Sequence, residues 1–184
     1  MYKCRDGAES WNTRQLRKLP GRPVHYHAYD TGLAGSDWLA YQEISLKVGA
    51  EVMLIDNHTH PMLSNGSRGK VKAFRTTQLD GVFPILVPIV TFIIQEKLCD
   101  IVVRPVLWTV KEEGLVVSRR TQIPLIPAWA LTMHKCIGMN LERIAVHVTK
   151  HDQHGLFYTA LTRVKKLGDI YHRPYHQVRN PIAS

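Results

Sequence analysis

Four polar residues in the last third of the chain have side chains that suit phosphate groups. Thr132, His134 and Lys135 offer a hydroxyl, an imidazole and an ammonium within four consecutive residues. Groups of these kinds contact the phosphate backbone of nucleic acids. Arg163 begins a basic run with residues 165–166. Because solvated helix faces carry the same residue types, the spacing alone leaves open whether these residues bind a ligand.

Several catalytic and metal-binding motifs are absent from the sequence. The Gly69-Lys70 pair is followed by Val71 and lacks the earlier glycine of a phosphate-binding loop. Neither a G-x-S-x-G nor an H-E-x-x-H motif occurs. Histidine pairs such as His58 and His60 have no C-x-x-C beside them. We therefore expect no zinc site and assign no metal ligand.

Composition indicates the class of partner and the compartment. The 184 residues include 24 Lys and Arg against 15 Asp and Glu, and the net charge of +9 points to a polyanionic partner. The three cysteines, Cys4, Cys99 and Cys136, are odd in number and far apart, which favours a reducing, intracellular compartment. The most apolar stretch, residues 82–94, is short and contains two prolines, so we expect a soluble protein without a membrane span.

The first two thirds of the chain favour one helix followed by strands. Residues 9–19 have helical apolar spacing and end at Pro-Gly. Residues 46–55 alternate as one strand would, and residues 64–67 contain an Asn-Gly turn signal. Short apolar runs between residues 69 and 117 predict a small antiparallel barrel or sandwich.

The last third favours alternating strands and helices. Residues 122–126 predict a short strand, and Pro127 predicts the start of a helix with a buried stripe, ended by Gly138. Residues 144–148 predict another strand, and residues 158–164 again show helical spacing. This order predicts an α/β layer with a parallel strand pair.

Together, these patterns predict an α/β fold in two parts. One part is discontinuous and comprises residues 1–45 and 118–184. The other is a small β module, residues 46–117, inserted into the first.

Five segments, in order along the chain, resemble the Pif-one-type DNA helicases, a branch of helicase superfamily one. QIPLIPAWALTMHKCIGMNLERIAVHV (122–148) is similar to QIPLxxAWALTxHKSQGxTL, and FYTALTRV (157–164) is similar to YVALSRV. NTRQLRKLPG (12–21) resembles N-x-x-x-L-x-x-LPG. LKVGAEVMLIDN (46–57) and LSNGSRGKV (63–71) resemble LKxGAQVMLxxN and LxNGxxGxV.

The resemblance implies a fold and an activity. In this family two RecA-like lobes close around ATP, and single-stranded DNA crosses both lobes. This chain would be the second RecA-like lobe, a parallel sheet with helices, carrying an inserted small antiparallel β-barrel of the Src-homology-three-like type. The complete enzyme would translocate on single-stranded DNA and unwind duplex in the 5′→3′ direction.

The resemblance also implies cofactors and partners. ATP and Mg²⁺ would be held mainly by the first lobe, whose phosphate-binding loop this chain lacks, so the chain alone is expected to be inactive. The partners would be single-stranded DNA or a forked duplex, and the missing lobe in cis or in trans. A eukaryotic member would be nuclear or mitochondrial.

Two residue groups follow from the resemblance. Arg163 matches the arginine finger that points at the γ-phosphate, which makes it the candidate catalytic residue. Arg5 and Gly138 are further candidates for nucleotide contact. The candidates for DNA contact are Thr132, His134, Lys135, Asn65 and Lys70.

The chain also departs from the family pattern. Cys136-Ile137 replaces Ser-Gln, and Leu156 replaces a polar residue. A glutamine lost at the junction of DNA and ATP would affect their coupling. A non-enzymatic module that binds single-stranded nucleic acid is therefore the alternative hypothesis.

Overall fold

The computed structural model describes residues 5–32, 38, 40–78, 84–132, 134–136, 144–147, 158, 162–164 and 166–173. Contacts divide the chain into a larger unit, residues 12–129, and a smaller unit, residues 1–11 with 130–184. The boundaries expected for an inserted module, at 45/46 and 117/118, remain a prediction.

Strands dominate the described residues. In chain order they are β1 (Val24–His27), β2 (Tyr29–Gly32), β3 (Glu43–Leu46), β4 (Glu51–Leu54), β5 (Arg68–Thr77), β6 (Ile85–Ile94), β7 (Lys97–Val102), β8 (Val106–Glu112), β9 (Leu115–Gln122), β10 (Leu125–Pro127), β11 (Ile144–His147) and β12 (Ile170–Arg173). Single 3-10 turns cover His134–Cys136 and Leu167–Asp169. The chain therefore has a mixed, sheet-rich α/β fold.

Helix α1 spans Arg5–Lys18, which confirms the helix predicted over residues 9–19. Asp6 in its first turn and basic residues in its last turn complement the helix dipole. Gly21, with φ +81°, turns the chain away after the helix ends. Among the described residues, no helix is long and apolar enough to cross a membrane.

A five-stranded antiparallel sheet, in the order β10-β4-β5-β6-β7, forms the core of the larger unit. β6 is rich in β-branched residues, which suit a strand with neighbours on both sides. The buried core includes Val52, Val71, Val90, Phe92 and Leu125. The predicted short antiparallel strands are confirmed. Within the described residues the two edge strands do not pair with each other, so no closed barrel is found.

Two smaller antiparallel sheets complete the larger unit. β2, β9 and β8 form one, with β9 in the centre, and β1 pairs with β3 in the other. The apolar residues 101–110, one of the short runs noted between residues 69 and 117, are divided between β7 and β8, which are separated by residues 103–105. Pro105 lacks an amide hydrogen and cannot donate to a strand ladder, consistent with a break there.

The single strand predicted over residues 46–55 is wrong. β3 ends at Leu46, a turn covers residues 48–49, and β4 begins at Glu51. Gly49 has φ +85°, a conformation that glycine adopts readily. Val48 is consequently 51% exposed, although Leu46 and Val52 are fully buried. Of the five alternating apolar positions, Leu46, Ala50, Val52 and Leu54 are buried and Val48 is not, so the alternation predicted most of the burial but did not reveal the turn.

The helix predicted to begin at Pro127 is not observed over the residues described there. Pro127 ends β10 by pairing with Val52, and residues 128–131 are irregular. A 3-10 turn follows at His134–Cys136. Sheet pairing of residues 125–127 therefore overrides the local helix signal. Met133, Ile137 and Gly138 lie outside the described residues.

The smaller unit contains a parallel strand pair. β11 pairs with β12 in register, with Ile144 opposite Ile170. The observed β11 confirms the strand expected over residues 144–148, and the parallel pairing confirms the α/β prediction. Residues 159–161 of the helix expected over residues 158–164 lie outside the described residues, while residue 158 is helical and residues 162–163 form a turn.

Gly69 allows β5 and β6 to approach closely. A Cβ at residue 69 would lie 2.6 Å from Val90 Cγ1 and 2.8 Å from Phe92 Cδ1, both in the core. We expect Gly69→Ala to lower the free energy of unfolding by about 1–3 kcal/mol, because the packed core cannot absorb the methyl group. Denaturant unfolding measures the change. The control is Gly168→Ala, whose Cβ would meet no described atom within 4 Å. Equal stability of the two variants would contradict the prediction.

Candidate nucleotide and nucleic-acid contact residues

His134 and Lys135 lie in the 3-10 turn His134–Cys136 of the smaller unit, and Thr132 lies just before it. Thr132 Oγ1 accepts a hydrogen bond from the backbone amide of Lys135 at 3.4 Å. A hydroxyl in this position satisfies an amide that a helix start leaves unpaired. Cys136 is fully buried, whereas Lys135 is partly exposed. The turn is therefore capped at one end and buried at the other, while the His134 side chain lies outside the described part.

Arg163 lies in a turn that directly follows one helix-type hydrogen bond. The amide of Thr162 donates to the carbonyl of Tyr158 at 3.1 Å. Arg163 Nη2 donates to Thr162 Oγ1 at 2.9 Å, and the side chain is partly exposed. A guanidinium has five N–H donors in a planar fork. A partly exposed guanidinium has the chemistry to contact phosphate oxygens.

Chain position separates the predicted contact residues into two groups. The smaller unit contains Arg5, Thr132, His134, Lys135, Gly138 and Arg163, and the larger unit contains Asn65 and Lys70. The side chain of Arg5 and all of Gly138 lie outside the described part of the structure. The roles assigned to these residues remain predictions.

Asn65 lies in the ordered connection between β4 and β5. Its amide donates to Asn57 Oδ1 at 2.7 Å. The next amide, that of Gly66, donates to the carbonyl of Leu54 at 2.8 Å, and Gly66 has φ +97°. Buried Asp56 accepts bonds from the His58 amide and the Thr59 hydroxyl at 2.7 and 3.0 Å. The Asn-Gly turn is thus confirmed, and this connection holds Asn65 on an exposed, internally bonded loop.

Lys70 is exposed on β5, and the acidic residues near it determine whether its positive charge is neutralised. Its strand partners are Glu51 on β4 and Thr91 on β6. Lys72 forms an ion pair with Asp100, which also accepts a bond from Thr91 Oγ1 at 2.7 Å. The bond from Lys72 lowers the pKa of Asp100. Lys72 is therefore neutralised locally, whereas Lys70 forms no ion pair within the described residues.

An ion pair between the buried Arg120 and the partly exposed Asp30 joins two strands of the larger unit. Arg120 on β9 donates to both carboxylate oxygens of Asp30 on β2, at 2.7 and 2.6 Å. It also donates to the carbonyl of Ala40 at 2.8 Å and stacks over Trp38. The hydrogen bonds from Arg120 lower the pKa of Asp30. We call Arg120 and Asp30 the β2–β9 clasp.

Residue types alone gave no indication that this side of β9 is buried. Ser118, Arg120 and Gln122 alternate along the strand, and polar residues at alternate positions normally indicate a solvated face. All three are buried. Gln122 Nε2 lies 3.2–3.3 Å from the carbonyls of Tyr26, Tyr41 and Gln42. The buried polar side chains of β9 thus form hydrogen bonds to the backbone of β1 and of residues 40–42.

The chain resembles known proteins in sequence and in structure. No protein-family model matches the chain. The ATP-dependent DNA helicase PIF1 of Xenopus laevis is 33% identical over 171 residues, covering 89% of this chain and 25% of the relative. A crystal structure of Pif1 helicase from Candida albicans superposes with a TM-score of 0.81 and 30% identity, covering 96% of this chain and 44% of the other. The chain belongs to the Pif1 helicase family.

The chain matches only part of a Pif1 protein. It spans about a quarter of the length of the curated relatives it matches. Bacteroides Pif1 in complex with ADP-AlF3 and single-stranded DNA shares the fold, with a TM-score of 0.67, 23% identity and coverage of 94% of this chain and 39% of the other. At that identity, the likeness establishes the fold alone.

The structure describes one of the departures from the Pif1 pattern. Cys136 replaces a serine and is fully buried at the end of the 3-10 turn. A thiol packs as a small apolar group, so it suits this enclosed position better than a hydroxyl would. Ile137 and Leu156 lie outside the described residues.

Proposed function

We propose that this chain is the second RecA-like lobe, with its inserted small barrel of the Src-homology-three-like type, of an ATP-dependent DNA helicase. Membership in the Pif1 family, with 89% of the chain matched, is the observation that supports this proposal most strongly. The parallel pair of β11 and β12 is compatible with a RecA-like sheet. The complete protein would move along single-stranded DNA and unwind duplex in the 5′→3′ direction.

In this proposal Arg163 is the catalytic residue. Its partly exposed guanidinium would stabilise the negative charge that develops on the γ-phosphate during transfer. Arg5 and Gly138 would contribute further nucleotide contacts. ATP and Mg²⁺ would be held mainly by the first lobe, and this chain alone would not hydrolyse ATP. No group of three or more metal-ligating side chains occurs within the described residues.

Single-stranded DNA or a forked duplex would be the second ligand. The net charge of +9 favours a polyanion. Lys135 and Lys70 would contact phosphates, with Thr132, His134 and Asn65 as polar contacts beside them. The missing lobe, in cis or in trans, would complete the path of the strand.

The alternative is a single-strand-binding module without motor function. The observation in its favour is that Cys136 packs in the interior and Ile137 is apolar, so the polar pair expected between DNA and nucleotide is lost. This alternative predicts DNA binding without any effect of DNA on ATP hydrolysis.

A salt titration tests the DNA contact that both functions require. We expect the affinity of the chain for a single-stranded oligonucleotide to fall linearly on a log–log plot, with a slope of about −0.7 for each phosphate neutralised. Lys70→Gln should make the slope shallower by about 0.7. Fluorescence anisotropy at several salt concentrations measures both quantities.

Lys97→Gln is the matched control, because Lys97 is also exposed but lies at the turn between β6 and β7. It should retain the wild-type slope. A flat slope for the wild-type chain would count against both functions, and equal slopes for the two variants would remove Lys70 from the interface.

A further inference from the structure

An open cavity of about 670 Å³ lies in the larger unit, between β1, β2, β6 and β9. We call it the β1–β9 pocket. Its lining includes His27, Tyr26, Tyr29, Leu86, Pro105 and Thr121. Ligand pockets in proteins typically measure about 300–1,000 Å³, so the volume is sufficient for a planar ring system with its substituents.

The walls of the pocket suit an aromatic ring. Apolar and ring-bearing side chains form most of its surface, and Tyr29 remains 72% exposed at its mouth. A tyrosine ring so exposed can stack on a nucleobase, an interaction that tolerates any sequence because every base has a π-face. The amide of Gln122, at the pocket wall, is already bonded to backbone carbonyls and to the amide of Ile123. The Gln122 amide would therefore contribute little to the recognition of base edges.

The charges around the pocket favour a phosphate-bearing ligand. Arg104 directly precedes Pro105 of the lining, and Arg119 lies two residues before Thr121 on the same face of β9. Both arginines are exposed, and neither forms an ion pair within the described residues. Asp30, the acidic residue next to Tyr29, is engaged by Arg120. An apolar pocket beside unpaired cations is complementary to a strand that carries bases and phosphates.

We propose that the β1–β9 pocket receives one nucleobase of a single-stranded nucleic acid, stacked on Tyr29, while Arg104 and Arg119 contact the adjoining phosphates. This inference rests on the proposed function and adds a contact outside the 3-10 turn and the β4–β5 loop. An apolar peptide segment is the competing occupant, but the unpaired arginines favour the nucleic acid.

The experiment compares two oligomers that carry the same number of phosphates, one with bases and one fully abasic. Wild-type chain should bind the base-containing oligomer about tenfold more tightly, the size expected for one stacked base. Tyr29→Ala should bind both oligomers equally. Tyr29→Phe, which keeps the ring, should retain the preference. Leu115→Ala, which removes another exposed apolar side chain at the turn between β8 and β9, should behave as wild type.

Each other outcome contradicts a specific statement. Equal binding of both oligomers by the wild type, or a base preference that survives in Tyr29→Ala, overturns the pocket assignment. Equal weakening of both oligomers in Tyr29→Ala also overturns it, since the tyrosine would then act on the backbone alone. If the wild type binds neither oligomer at low salt, the proposed DNA function fails, and the pocket assignment fails with it.

Discussion

Arg163→Ala should reduce DNA-stimulated ATP hydrolysis by about 10³–10⁵-fold, the effect of removing an arginine finger in phosphoryl-transfer enzymes. The test requires both lobes. It therefore uses a chimera in which this chain replaces the matching segment of Candida albicans Pif1. Steady-state ATPase assays measure the rate. Affinity for single-stranded DNA should change little, because Arg163 is assigned to the nucleotide and not to the strand.

Two further variants separate the finger from a general effect of charge. Arg163→Lys keeps the charge but loses the planar fork, so it should recover only a small part of the rate. Lys166→Ala removes an exposed cation three residues away and should leave hydrolysis near the wild-type rate. Wild-type turnover in Arg163→Ala would exclude Arg163 from catalysis, and a parallel loss of DNA binding would indicate a structural role.

Asp30→Asn should lower the free energy of unfolding of the chain by about 2–3 kcal/mol, because it leaves the Arg120 cation buried without its counter-charge. Removing one member of a fully buried pair costs about 3–5 kcal/mol. The Asp30 side chain is 38% exposed, so solvent screening reduces the expected value. Arg120→Met should cost less, since the Asp30 carboxylate that remains reaches water. Urea denaturation measures both changes.

The same pair predicts a dependence on pH. The pKa of Asp30 is lower in the folded state than in the unfolded state, so its contribution to stability is present above pH about 4 and is lost as the pH falls through the folded-state pKa. The stability difference between wild type and Asp30→Asn should therefore shrink in acid. Asp100→Asn, which alters a surface pair, should change stability little at any pH. A difference that stays constant down to pH 2 would contradict the clasp.

Local patterns were sufficient to predict most of the strands and the helix. The helix over residues 9–19 and the strand over residues 144–148 were predicted because apolar spacing follows directly from the geometry of each element. The five motifs together likewise identified the family, because the residues of each motif are contiguous in the chain. These features depend on residues that are close together in the chain, so the sequence alone is enough to predict them.

Other features depended on partners that are distant in sequence. Gly49 breaks a regular alternation because the chain turns there between β3 and β4, and Pro127 pairs with Val52 instead of starting a helix. In both cases the local sequence pattern is present, but pairing with a segment distant in sequence produces a different structure from the one the pattern predicts.

The sequence by itself determined the charge of this protein, its helix α1 and its kinship with Pif1 helicases. Only the tertiary structure decided that Arg120 is buried against Asp30 and that Tyr29 stands at the mouth of a pocket with Leu86. The physical reason is that both arrangements join residues more than fifty positions apart. Which residues then come into contact depends on how the strands of the sheets pair, and local residue spacing carries no record of that pairing.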